Sequence, residues 1–243
     1  TKKDTWKLRL THTLTYNKTF NKVHNLNAMI GQEYVATNNE SLSIIAKYFQ
    51  KDIAPEKMFA SLASNSGATG SRTINSSLGQ EDRTLSFFGR LNYSYADRYL
   101  LTFTMRADGS SKFVKDNRWG YFPAAALGWR IAEEPWMKST KDWLSNLKLR
   151  FSYGTAGNNR ISSSMYETTY KAYGSGKYYG AGNQQNPHYT LNNSQLANPE
   201  LKWETTITRN VGLDFGFFDE RISGSLDYYW NTTKDLLLDA PVT

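Results

Sequence analysis

The sequence predicts an all-β fold, an antiparallel meander of long strands with one apolar and one polar face. Runs of ten or more residues alternate between apolar or aromatic and polar side chains, the two-residue period of a strand. The joints between successive runs alternate between short and long. Aromatic residues gather near run ends, as at Tyr93, Tyr95 and Tyr99 and again at Tyr228, Tyr229 and Trp230. A soluble sandwich buries its apolar face in protein and uses strands of roughly 5–6 residues, whereas a transmembrane barrel turns that face to lipid and needs roughly 9–11 residues per crossing. The run lengths and the strand-end aromatics favour the barrel, with the sandwich as the soluble alternative.

Eight long strands are expected, at about 3–17, 21–37, 82–96, 98–108, 118–132, 146–157, 202–217 and 220–235. The third sets Leu85, Phe87, Gly89, Leu91, Tyr93 and Tyr95 against Ser86, Phe88, Arg90, Asn92 and Ser94. The fourth sets Tyr99, Leu101, Phe103, Met105 and Ala107 against Thr102, Thr104, Arg106 and Asp108. Short joints at 17–21, 96–98 and 218–221 and a medium one at 133–145 mark one end of the sheet, the periplasmic end in a barrel, and long joints mark the other. In the medium joint, Pro135 with Trp136 and Trp143 at helical spacing predicts a short amphipathic helix. The loop 38–81 is expected to be partly helical, interrupted at Pro55, and to close on a flexible Gly/Ser-rich stretch.

The polar face carries Arg90, Arg106, Arg130, Lys148 and Arg150 with Asp108, Glu204, Asp214 and Asp227. On a solvated sheet these are ordinary decoration; in a barrel they line the lumen, where they bind a plug or bias the passage of a polar solute. With strands 146–157 and 202–217 as neighbours, Lys148 opposes Asp214 and Arg150 lies one diagonal step away. The outward set Trp203, Ile207, Val211, Leu213 and Phe215 also takes in Arg209, which at the bilayer midplane costs roughly 2–4 kcal/mol, so a bulge or a different register is expected there.

In the 243 residues no apolar run approaches the length of a membrane helix, which excludes a helical membrane protein. Alternation disperses a barrel's signal, so a mean hydropathy of −0.62 is compatible with one. The absence of Cys excludes disulfides, thiolate metal sites and a catalytic thiol. The net charge of +7 is scattered singly and forms no stripe, which argues against nucleic acid as a partner. The opening TKKDTWKLRL has no signal-peptide pattern and starts directly in a strand.

No enzyme signature emerges and no catalytic residue is assigned. His12, His24 and His188 lack ligand spacing, so neither a metal nor a cofactor is expected. Glu133 and Glu134 have no matching nucleophile, and Asp108 beside Gly109 reads as a turn. The Gly-rich GSGKYYGAG stretch lacks phosphate-loop spacing. Its loop 158–201 is Tyr-rich, and Tyr170, Tyr173, Tyr178 and Tyr179 offer faces for stacking on sugar or peptide, or else fold the loop on itself.

Five blocks carry a resemblance: LSFFGRLNYSYADRYLLTFTMRADGSSKF (85–113), RWGYFPAAALGWRIAEEPWM (118–137), NLKLRFSYGTAGNN (146–159), NPELKWETTITRNVGLDFGFF (198–218) and RISGSLDYYWNTTKDLLL (221–238). In this order they resemble the SusC/RagA-type TonB-linked outer-membrane transporters of Bacteroidetes, while residues 1–84 match loosely. The resemblance implies a 22-stranded barrel around an N-terminal plug, energised by the TonB complex through an N-terminal box. It also implies a SusD-like surface lipoprotein over the mouth, and import of an oligosaccharide or a peptide. No plug or box is visible here, and DLLLDAPVT lacks a terminal aromatic strand. Residues 1–243 are therefore expected to be a partial barrel domain, an open curved sheet forming part of a large transmembrane β-barrel integral to the outer membrane. Two rivals remain: a closed eight-stranded barrel with a structural or adhesion role, in which the first strand pairs with the last, and a secreted carbohydrate-binding sandwich.

Overall fold

The computed structural model describes residues 1–49, 54–60, 72–172, 178–181, 184–187, 189–191 and 196–238. Eight long strands alternate along the chain with turns and loops: β1 (Lys2–Phe20), β2 (His24–Ala46), β4 (Asp82–Tyr95), β5 (Tyr99–Ser110), β6 (Trp119–Arg130), β7 (Leu144–Asn158), β12 (Glu204–Phe217) and β13 (Ile222–Lys234). They hydrogen-bond in the order β1-β2-β4-β5-β6-β7-β12-β13, with β3 (Arg72–Leu78) paired to β2 off this path. The all-β antiparallel meander is thus observed, and the order is open: β1 stands at one end and β13 at the other. A barrel closed within these residues would have required them to pair.

Two compact units are present. Residues 1–9 and 35–82 form the first, where β3 runs antiparallel to β2 from Glu40↔Leu78 to Ala46↔Arg72. Residues 10–34 and 83–243 form the second, which holds the strands from β4 onward.

Four local expectations are corrected. SLSIIA opens a stretch of the loop 38–81 expected to be partly helical and instead extends β2, because Ile44 and Ile45 are β-branched and β3 supplies a pairing edge; the helix α1 spans Pro55–Ala60, beginning at the proline expected to interrupt it. Residues 72–77 of the expected flexible stretch are strand, and 61–71 lie outside the described residues. The medium joint is two 3₁₀ turns, Ile131–Glu133 and Pro135–Thr140, since the tighter helix fits a short connection. Asp108 and Gly109 also sit within β5, paired to Gly120 and Trp119, and do not turn. The loop after β7 contains β8 (Tyr170–Ala172), β9 (Tyr178–Ala181), β10 (Gln184–Pro187) and β11 (Tyr189–Leu191), in two small ladders.

The short joints of the second unit are stitched together by backbone bonds. Ala96 N–H donates to Val23 O at 2.6 Å, Arg130 N–H to Arg98 O at 2.8 Å and Phe218 N–H to Trp143 O at 3.0 Å. Asn21 and Lys22 (φ 48° and 60°), and Ala96 and Asp97 (φ 51° and 54°), give the two hairpins the left-handed central pair whose twist matches the flanking strands.

Candidate functional site

The ladder registers divide the second unit's residues between two faces. Tyr99↔Trp129, Ala125↔Tyr153, Tyr153↔Arg209 and Arg209↔Trp230 hold one face in line. That face carries Leu85, Phe87, Phe103, Tyr121, Leu127, Phe151, Tyr153, Leu226, Tyr228 and Trp230, all more than a third exposed. Among the described residues no protein layer covers these side chains, as a sandwich would require. The opposite face carries the polar set: Arg90, Arg106, Arg130, Lys148, Arg150, Asp214 and Asp227 all fall on it by register.

Two ion clusters organise the polar face. Asp214 lies opposite Lys148, as the pattern predicts, yet its carboxylate is taken by the diagonal Arg150, whose Nε and Nη2 donate to it at 2.9 and 2.8 Å. Arg150 Nη2 also donates to Asp227 Oδ2 at 3.1 Å, so one guanidinium bridges carboxylates on two strands. The bridge crosses Gly212, the register partner of both Arg150 and Asp227, where a Cβ would meet Asp227 Oδ1 at 2.6 Å and Arg150 Nη2 at 2.7 Å. Arg and not Lys serves here because its planar fork meets a carboxylate with two donors. The second cluster centres on Arg106. Its Nε donates to both oxygens of Asp108 at 2.8 Å and its Nη2 to Ser86 Oγ at 2.9 Å, while Glu33 Oε1 lies 3.7 Å away.

Towards the long-loop end, Phe113, Phe122 and Trp203 form a buried aromatic cluster with Ile161 and Leu201 packed against it. Trp203 Nε1 donates to Arg118 O at 2.9 Å. Trp203 therefore leaves the outward set in which alternation placed it: it precedes β12 and is drawn under the loops. Two further bonds tie the strand ends to that loop, Lys112 Nζ to Ile161 O at 2.9 Å and Asn159 Nδ2 to Ser110 Oγ at 3.1 Å. Nothing in the local sequence distinguished Phe113 from a surface loop residue, because its partners come from distant segments.

At the short-turn end Glu134 is 5% exposed and accepts from Tyr99 Oη at 2.6 Å, Trp129 Nε1 at 3.0 Å and Arg98 Nη1 at 3.0 Å. The Tyr99 hydroxyl first, then the Trp129 indole, hold its carboxyl below the usual carboxylate range. Sequence reading raised Glu133 and Glu134 only as an imagined catalytic pair; in the structure Glu134 locks the joint to β5 and β6.

Of the Tyr-rich loop, Tyr170 is 64% exposed and pairs with Leu191 in the β8–β11 ladder. Tyr178 and Tyr179 belong to β9, and Tyr173 lies outside the described residues. Among the described residues no cluster of His, Asp or Glu has the arrangement of a metal site.

Residues 1–243 match the family model of the TonB dependent receptor-like β-barrel. A TonB-dependent receptor SusC of Bacteroides thetaiotaomicron is 48% identical over 154 residues, which is 63% of this chain and 15% of that protein. The TonB-dependent receptor P3 of Formosa agariphila is 39% identical over 94% of this chain and 21% of its own length. Among solved structures, the RagAB peptide importer in its open-open state superposes with a TM-score of 0.83 at 26% identity, over 99% of this chain and 25% of that one. The chain thus spans about a fifth of the length of the curated relatives it matches.

Proposed function

The chain belongs to the TonB-dependent receptor β-barrel family, and from that premise we propose that it contributes wall, lumen lining and outer loops to an outer-membrane transporter importing an oligosaccharide or a peptide. In this reading residues 1–243 are part of a larger barrel domain, integral to the outer membrane. The full protein works with the TonB complex and with a SusD-like surface lipoprotein, and this chain makes and breaks no covalent bond. The observation that carries the reading is the division of faces: large apolar side chains stand uncovered on one, and the seven charged residues share the other. A band of uncovered apolar side chains suits lipid, and bridged charges suit a wet lumen. The kinship with a peptide importer favours peptide among the bulky solutes. Arg90, Arg106, Arg130, Lys148, Arg150, Asp214 and Asp227 then face the lumen, and Tyr170, Tyr173, Tyr178 and Tyr179 belong to a loop on the solute's path.

Deletion of the full-length gene, followed by growth on oligosaccharides and on peptides as sole nutrients, tests this. One class should fail to support the deletion strain, and restored uptake should stop when the proton-motive force is collapsed. Unchanged growth on both classes, or uptake indifferent to the proton-motive force, would count against energised import.

A further inference from the structure

Arg209 stands on the apolar face, in register with Tyr153 on one side and Trp230 on the other. The expected bulge is absent there: the β7–β12 register runs unbroken from Glu204 to Gly216, so the cation truly shares a face with Val211, Leu213 and Phe215. Its guanidinium carbon lies 5.8 Å from the Tyr153 ring centroid, and Nη1 donates to Thr232 Oγ1 at 3.3 Å. Among the described residues no carboxylate comes within ion-pair distance of it, although both strands flanking β12 belong to this chain. Beside it opens a groove of about 300 Å³ lined by Ala125, Leu127, Phe151, Val211 and Trp230. The groove exists because Ala125 is small where its register neighbours Phe103 and Tyr153 are large.

The depth of Arg209 follows from the ladder. With Phe217, stacked on Trp143 at 6.1 Å, taken as the short-turn border of the apolar band, Arg209 lies eight residues back along β12. That is about 27 Å of strand at ~3.4 Å per residue, and about 20 Å of depth at a strand tilt of ~40°. The band is ~25 Å tall, so Arg209 sits just inside its far border, where an extended side chain reaches the headgroups. Aromatic side chains at such a border settle at headgroup level, as Tyr153 and Trp230 do in this placement.

Resting on the membrane reading above, we propose that Arg209 holds the phosphate of an anionic membrane lipid of the far leaflet, with one acyl chain of that lipid lying in the Ala125–Val211 groove. Among the described residues the cation has no anionic partner, the groove is apolar, and the two adjoin: a lipid with a phosphate head and acyl chains supplies both halves from one molecule. A group inside the barrel is on the wrong side of the sheet to reach either.

The test uses the full-length transporter in detergent, with dioleoylphosphatidylglycerol added and bound lipid counted by native mass spectrometry. Wild type should retain one lipid more than R209Q, whose occupancy of that lipid should fall about fivefold, the value of one cationic contact at a membrane surface. A125F, which fills the groove and leaves the cation in place, should show a similar loss. Unchanged heat-modifiable gel mobility establishes that both variants are folded. Equal occupancy in wild type and R209Q would overturn the proposal. Inorganic phosphate retained as well as the lipid would overturn it in favour of a soluble-anion site. Loss of a dimer peak in R209Q at constant lipid count would place a second copy on this face instead. Absence of the full-length protein from outer-membrane fractions would overturn the membrane reading itself, whereas unchanged lipid counts in a protein found there would remove only the lipid site.

Discussion

Alanine in place of Gly212 or Gly157 adds the same methyl group to neighbouring strands, with different consequences. At Gly212 the Cβ would displace the ends of Arg150 and Asp227, flexible side chains that can swing aside. The expected cost of Gly212→Ala is the lost bridge, about 1 kcal/mol or less, and it should vanish in an Arg150→Gln background when urea midpoints are compared in a double-mutant cycle. At Gly157 the Cβ would enter the ring of Phe122, which is fixed in the buried aromatic cluster. Gly157→Ala should therefore cost about 1–3 kcal/mol whatever stands at position 150. Glu134 gives a pH dependence. Its folded pKa lies below its unfolded value, so the stability it contributes is present above the ordinary carboxylate range of about 4.3 and is lost as pH falls through the lowered folded value. Wild type should exceed Glu134→Gln in thermal stability at neutral pH, and the gap should close on acidification below about pH 4. A gap that is constant with pH would rule out the charge as the source. Neither glycine's role was legible in the sequence, since each depends on which ring or guanidinium the register brings overhead.

At the scale of elements, alternation was readable wherever a strand has one apolar face, and it located all eight long strands to within a few residues, β2 excepted at its far end. It failed for β3, where RTINSS has a single apolar residue, Ile74, too few to alternate, and becomes strand because β2 offers an edge. The β4–β5 hairpin carries a local conflict. Ala96 and Asp97 both hold left-handed dihedrals, which Asp tolerates and Ala adopts at a cost. Ala96→Asn should keep the Arg98 N–H to Tyr95 O bond of 3.0 Å and raise stability by about 0.5 kcal/mol, read as a higher denaturant midpoint. A lower midpoint would show that the Ala96 methyl makes a contact worth more than the relieved strain.

For the whole molecule, the four short joints gather at one end of the strands, and the connections after β5 and β7 leave from the other. If the short end is periplasmic, Asp116→Cys in the full-length protein should react with a membrane-impermeant thiol reagent on intact cells, and Asp219→Cys only after the outer membrane is permeabilised. The opposite pattern would invert the orientation. The sequence by itself determined the class, the strand count of the main path, the opposition of Lys148 and Asp214 and the common face of the seven charged residues. Each follows from the strict two-residue period, which fixes side-chain direction without knowledge of neighbours. Only tertiary structure decided that Arg150 takes the Asp214 carboxylate, that Trp203 turns under the loops to Phe113 and Phe122, and that Arg209 remains outward beside a groove. These depend on diagonal reach between strands and on small residues in one strand making room for large ones in the next, and strand pairing must exist before either has meaning.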